Sequence, residues 1–276
     1  MKNRWGFLAL LATILIAVPA IAEPSEKGCS IRHTEMLYTV TLLDVLRVSG
    51  SATVIYSGKR DDEVHTYLLT NYHVIKSAIS IEKEWSPKKG KKIDVERRSQ
   101  VEAFWQQYNQ CSRSVGKIGR RAEIMVYDEG KDLGLIRLID RERVIEYVAA
   151  IVAENEPIYL GEEVWAIGAG MGEPPFMTSG EIGFLERQID AYPYMLSTAP
   201  IIFGNSGGAL FRLGEDGYEL IGVPAKVSGA GFQAITHMSW SIPHGTIYNF
   251  LREQGYCFIL GESDCPLEDE DKDEDD

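Results

Sequence analysis

The chain has 276 residues, 45% of them hydrophobic and 25% charged, with a formal net charge of −13. That balance is ordinary for a folded globular protein and excludes the disordered, collagen-like and low-complexity classes. Cysteines stand at 29, 111, 257 and 265 with no Cys-x-x-Cys or His-x-x-x-His spacing, so a zinc site is not expected.

Met1 to Ala22 opens with Lys2 and Arg4, runs apolar from Phe7 to Val18 and ends in Ala20-Ile21-Ala22. A charged start, a short apolar core and an A-x-A site predict a cleaved signal peptide, hence a periplasmic or extracellular protein without a stable membrane span. Export permits disulfides, and the local spacing favours Cys257–Cys265, which leaves Cys29 to pair with Cys111. Short β-like runs follow: "LYTVTLLDVLRVSG", "SATVIYSG", "HTYLLTNYHVI", "AEIMVYDEG" and "DLGLIRLI" in the first half, then "EEVWAIGAG", "GGALFRL", "YELIGVPAKV" and "QAITHMSWSIP". Many short strands between turn signals predict a sandwich or barrel.

Two segments have helical spacing. Asp94 to Gln110 carries Val101, Phe104, Trp105 and Tyr108, and Pro243 to Glu253 carries Ile247, Phe250 and Leu251. Between the strand clusters, 141–157 is polar and predicted to be a linker. Charge is unevenly spread: residues 83–121 hold eleven Lys/Arg against four acids, whereas the last ten residues hold eight acids and one lysine. Both stretches should be largely exposed, the tail disordered. Either the tail shields the basic island from anionic surfaces, or the two are independent solvated segments.

The stretch "GNSGGALF" sets Ser206 in a turn with Gly204, Asn205, Gly207 and Gly208. A serine hydroxyl needs a base to be a nucleophile at neutral pH. His73, at the end of the apolar run "YLLTNYHVI", is presented from a rigid strand end; His33, His65, His237 and His244 have no such setting. Asp132, at the mouth of "DLGLIRL", must be paired or solvated there and can orient the imidazole; Asp128 in the "DEGK" turn is its competitor.

"LLTNYHVI", "DLGLIRL" and "GNSGGALF", in the order His, Asp, Ser, resemble the signatures of trypsin-like serine proteases, and in particular the HtrA/DegP protease domain. "GEEVWAIGAG", "TSGEIGFL" and "SWSIP" are similar to further landmarks, over roughly residues 45–252. The resemblance implies an all-β fold of two perpendicular six-stranded antiparallel barrels with a C-terminal helix and, in this chain, a helical insertion. The corresponding division is 1–22 signal peptide, 23–140 first barrel with a basic insertion at about 82–121, 141–157 linker, 158–256 second barrel and helix, and 257–276 a disulfide-closed end with acidic tail. The usual PDZ domain is not expected.

By the same resemblance Ser206 is the nucleophile, His73 the general base, Asp132 its orienter, and the N–H groups of Gly204 and Ser206 the oxyanion hole. Asn205, being neutral, makes no ion pair with a newly cut N-terminus, so propeptide activation is not expected. Pro200, Ile201 and Ile202 on one side and Ala225, Lys226 and Val227 on the other border the primary specificity pocket. With no acid at position 200, a small or medium apolar side chain before the scissile bond is expected. Protein or peptide substrates follow from this. No nucleic-acid partner is expected, and the sequence leaves the oligomeric state open. The alternative is a non-catalytic member of the same fold that binds peptide or a partner through the cleft.

Overall fold

The computed structural model describes residues 34–263 and Cys265, apart from 47, 61, 110–113, 143 and 232. After a short helix α1 (Thr34–Thr39), strands β1 (Val40–Val45), β2 (Val48–Arg60), β3 (Glu63–Thr70), β6 (Val101–Tyr108), β7 (Ser114–Asp128) and β8 (Leu133–Leu138) close into a barrel in the order β1-β2-β3-β8-β7-β6. Between β3 and β6 come the one-turn helix α2 (Tyr72–Ile75) and a separate hairpin of β4 (Ile79–Ser86) and β5 (Lys91–Arg98).

The second half holds β10 (Glu163–Gly168), β11 (Phe176–Ile189), β12 (Tyr192–Ser197), β13 (Ala209–Leu213), β14 (Tyr218–Ala230) and β15 (Gln233–Pro243). These pair in the order β13-β10-β11-β12-β15-β14, and β13 pairs with β14 to complete the ring. The short β9 (Ala150–Ile151), from the stretch between the barrels, adds parallel to β14. Helix α3 (His244–Glu253) follows directly and buries Ile247, Phe250 and Leu251, as its spacing predicts.

Strands β3 and β8 are buried on both faces, and their period of two explains how they hold the barrels together. Leu68, Ile136 and Leu138 fill the first barrel with Val54 and Trp105. Their neighbours Tyr67, Leu69, Leu133 and Leu135 point the other way, into a core shared with Tyr194, Phe211 and Trp240 of the second barrel and with α3. The ends of β3 and β8 therefore lie where the two halves meet.

The expected helix over Asp94–Gln110 is absent, and with it the helical insertion. This stretch forms β5 and β6, and the insertion is a β-hairpin. The apolar residues at helical spacing coincide with a strand in which Val101, Ala103 and Trp105 face inward, while Phe104 faces out beneath the Lys117 ammonium, 4.4 Å from its ring centre. The inner side of β6 was masked by Ala103, too small to read as an anchor, and by the buried Gln106. A Cys257–Cys265 disulfide closes the C-terminal turn. Cys29, Cys111, the segment 1–22 and the acidic tail lie outside the described residues.

Candidate active site

The strand register brings two distant residues together. Thr70, the last residue of β3, pairs with Gly134 near the start of β8. His73, three residues beyond one end, thus meets Asp132, just before the other. The Asp132 carboxylate lies 2.8 and 3.0 Å from His73 Nδ1, and its Oδ1 also accepts the His73 backbone N–H at 2.9 Å. A carboxylate only accepts, so Nδ1 is the donor, and in a neutral imidazole that leaves the lone pair on Nε2. The His73 side chain is 38% exposed and that of Asp132 14%, which puts the acid behind and the imidazole in front.

Asp132 sits in the left-handed region (φ 53°). Its carbonyl accepts the Tyr72 N–H at 3.2 Å and the Asn71 side-chain Nδ2 at 2.8 Å. Asn71 is wholly buried, and no motif marks it in the sequence. The competitor Asp128 accepts the backbone N–H of Lys131 and pairs with its ammonium at 3.0 Å, which makes it a turn cap. Of the other described histidines, His65 is buried against Tyr67, His237 is exposed on β15, and His244 opens α3.

The Ser206 turn is held from both barrels. Ser51 of β2, with no exposed surface, donates its N–H to Ser206 O (2.8 Å) and its hydroxyl to Gly204 O (2.7 Å). The same hydroxyl accepts the Ala169 N–H at 2.8 Å, and Thr70 Oγ1 donates to Ser51 O at 2.7 Å. Phe203 O accepts the Met171 N–H at 2.6 Å, and Asn205 O accepts the Gly208 N–H at 2.9 Å. In a trans peptide the N–H points opposite to the preceding carbonyl, so these bonds aim the Gly204 and Ser206 N–H groups. Among the described residues neither donates to a protein acceptor.

Two glycines are required here. Gly204 has φ 100°, and a Cβ on it would lie 2.5 Å from Ala169 O; Gly207 has φ 83°, and its Cβ would lie 2.2 Å from Ser51 O. Gly50 lies between the two halves of the site: its Cβ would meet the Val74 side chain, next to His73, and Ser206 O. Ser206 Oγ itself donates to Ala225 O at 3.4 Å, and no hydrogen bond joins it to His73.

Beside His73 and Asp132 opens a cavity of about 540 Å³, bordered by Tyr72, Asp190, Tyr192, Tyr194, Ala225 and Lys226 among others. Lys226 faces this cavity, paired with Asp190 at 2.9 Å and lying 4.6 Å from the Tyr194 ring centre. Burial works against its charge, but Asp190 and Tyr194 outweigh it and hold its pKa above the ordinary lysine value. Of the other residues expected to border a specificity pocket, Ile201 is turned into the second barrel's core with Val227 packed against it, whereas Pro200 is exposed and Ile202 partly so. Asp190, Tyr192 and Tyr194 were not singled out from the sequence, because they follow no motif and are brought to the cavity by the β11–β12 turn.

Comparison with known proteins agrees with this architecture. The chain is 25% identical over 182 residues to a probable periplasmic serine endoprotease, DegP-like, of Pseudomonas fluorescens, a match covering 64% of this chain and 30% of that relative. Solved structures with the same fold include the MamO protease domain of Magnetospirillum magneticum in its apo form (TM-score 0.56, 14% identity, 80% of this chain and 99% of that one). The HtrA-type protease AlgW with tripeptide is similar at TM-score 0.55 and 21% identity, over 83% of this chain and 63% of that one. A serine endoprotease from Yersinia pestis matches at TM-score 0.53 and 21% identity, over 84% and 67%. The family model described as a trypsin-like peptidase domain matches residues 50–223, well over half the chain, and the protein belongs to that family.

Proposed function

We propose that the protein is an exported serine endopeptidase in which Ser206, His73 and Asp132 form the catalytic triad. The observation that carries this is the His73–Asp132 pair, held by two Nδ1 contacts and a backbone bond, beside a serine turn with two N–H groups free of protein acceptors. The periplasmic DegP-like relative supports export.

In this mechanism Ser206 Oγ turns from Ala225 O toward His73. Nε2 takes its proton as Oγ attacks the substrate carbonyl carbon. Asp132 stabilises the imidazolium, and the Gly204 and Ser206 N–H groups receive the oxyanion, each typically worth ~3–4 kcal/mol. His73 then protonates the leaving amine. Water attacks the acyl-enzyme with His73 again as base, and Ser206 is released. By the family resemblance Pro200 and Ile202 border the primary pocket, and the Asp190 carboxylate beside its other wall is already paired with Lys226, so a small or medium apolar side chain before the scissile bond is preferred over Lys or Arg, whose charge would meet the Lys226 ammonium.

One observation favours a second reading, a cleft that binds peptide without cutting it: the Ser206 hydroxyl faces Ala225 O rather than His73. Labelling with a serine-directed fluorophosphonate separates the two. Labelling of wild type and not of Ser206→Ala is expected; no labelling of either favours the binding module. Cleavage of a peptide library then tests the preference, and faster cleavage after Lys or Arg than after Val, Ala or Leu refutes it.

A further inference from the structure

The β4–β5 hairpin takes no part in the barrels: its two strands pair only with each other. Its base is well tied. Arg98 donates to the carbonyls of Ile124 and Met125, Glu96 accepts the Tyr127 hydroxyl at 2.7 Å and pairs with Arg98, and Glu84 pairs with Arg97. The hairpin's acids, 82, 84, 94 and 96, all lie on the base side of the Trp85–Lys92 pair. Its tip is different. Lys88, Lys89, Lys91 and Lys92 are exposed around Gly90, and among the described residues their ammonium groups have no ion-pair or hydrogen-bond partner. Trp85, directly across from Lys92, is 61% exposed, and Ile81 on the same face is 70% exposed.

A rigid finger ending in a bare tryptophan, a proline and unpaired lysines, on a protein of net charge −13, has no role in the barrels or the cleft. We propose that the tip of this hairpin docks on an anionic phospholipid surface, with the lysines against headgroup phosphates and Trp85 at the level where headgroups meet acyl chains. Tryptophan favours that level because its ring is apolar and its N–H stays hydrated. Strands of eight residues at ~3.3 Å each hold the tip far enough from the acidic body for it to reach a surface the body would be repelled from. The acidic tail is the rival occupant. It offers charge to the lysines, but its acids have nothing apolar to cover Trp85. Nucleic acid is the other rival, and a single tryptophan gives no run of stacking platforms.

The test is sedimentation of the full chain with phosphatidylglycerol–phosphatidylcholine vesicles and with phosphatidylcholine alone, at low ionic strength. The apolar N-terminal run is common to every variant, so differences between variants report the hairpin. A basic residue near such a surface changes partition by about fivefold. The quadruple variant Lys88→Gln, Lys89→Gln, Lys91→Gln, Lys92→Gln should therefore lose roughly several hundredfold on the anionic vesicles. Trp85→Ala should lose several-fold, and the emission that Trp85→Phe removes should shift to the blue on anionic vesicles only. Physiological salt, with a Debye length of ~8 Å, should shrink the lysine effect.

Equal partition of wild type and the quadruple variant overturns the proposal. So does a lysine effect confined to heparin or DNA columns, or an anionic-vesicle effect seen only when the chain is shortened to Pro266, which would make the tail the occupant. The substituted side chains are exposed, and unchanged circular dichroism and melting will show that the variants fold.

Discussion

Ser51→Ala is the most informative single change, because one buried hydroxyl joins both barrels to the Ser206 turn. Removing it takes a donor from Gly204 O (2.7 Å) and an acceptor from the Ala169 N–H (2.8 Å). Ala169, like Ser51, has no exposed surface, so water has no ready route to replace the bond. Each abandoned group costs ~1–3 kcal/mol, which gives a loss of roughly 2–6 kcal/mol for the two if the turn stays in place. If the turn relaxes instead, stability falls less, but the Gly204–Asn205 peptide between the two oxyanion donors shifts, and their alignment with it. Under the proposed mechanism that removes a transition-state contact, with a fall of about 10²–10³ in kcat and little change in KM. Urea unfolding, fluorophosphonate labelling rate and peptide hydrolysis on the same preparation separate the outcomes, since one or the other must occur. Stability within about 0.5 kcal/mol of wild type, together with labelling within twofold, refutes the clamp.

Asp132→Asn should retain the fold yet lower the labelling rate by on the order of 10⁴, because an amide facing Nδ1 selects the wrong imidazole tautomer; an unchanged rate rules out the dyad. Gly204→Ala should cost ~1–2 kcal/mol for its left-handed backbone and more for the clash with Ala169 O, with labelling lost before unfolding; wild-type labelling would mean the turn has room. The pKa of His244 is lowered, first by burial and then by the nearby Arg212 charge. The unfolded chain therefore binds this proton more readily, and the contribution of neutral His244 is present above ~6.5, the ordinary histidine value, and lost as pH falls below it. Urea midpoints measured from pH 8 to 5 should fall with a slope that His244→Gln reduces.

What could be read from the chain was what is local in it. His73, Asp132 and Ser206 each end or begin an apolar run, and the antiparallel pairing of Thr70 with Gly134 needs only those two runs to be neighbours. The clamp was invisible because its partners are remote: Ser51 bonds residues 118 and 153 positions away. A serine in "VSGSATV" carries no mark of that. The β6 error has the opposite origin, a local pattern with two meanings. Val101, Phe104, Trp105 and Tyr108 fit a helix face, and only pairing with β1 and β7 on either side settles the strand. Asp190 and Tyr194 at the 540 Å³ cavity went unnoticed for the first reason, since they share it with His73 only when the barrels come together.

Asn205 holds the turn from within. It has no exposed surface, and its Oδ1 accepts the Ile202 N–H at 3.1 Å while its own N–H donates to Ile202 O at 3.0 Å. An aspartate in that place would bury a charge, which is costly without a cation beside it. The amide avoids that cost and leaves one unpartnered group, Nδ2, set against Gly168, where a Cβ would lie 2.8 Å away. With Asn205 closing the turn from within, Ser51 and Met171 fixing the carbonyls of Gly204 and Phe203, and Pro224 O accepting the Gly207 N–H at 3.1 Å, the turn's conformation rests on groups already in the two barrels. On the proposed mechanism, a site built this way needs no cleavage step to aim its two N–H groups. On the proposed mechanism, its remaining adjustment is the rotation that takes Ser206 Oγ from Ala225 O to His73.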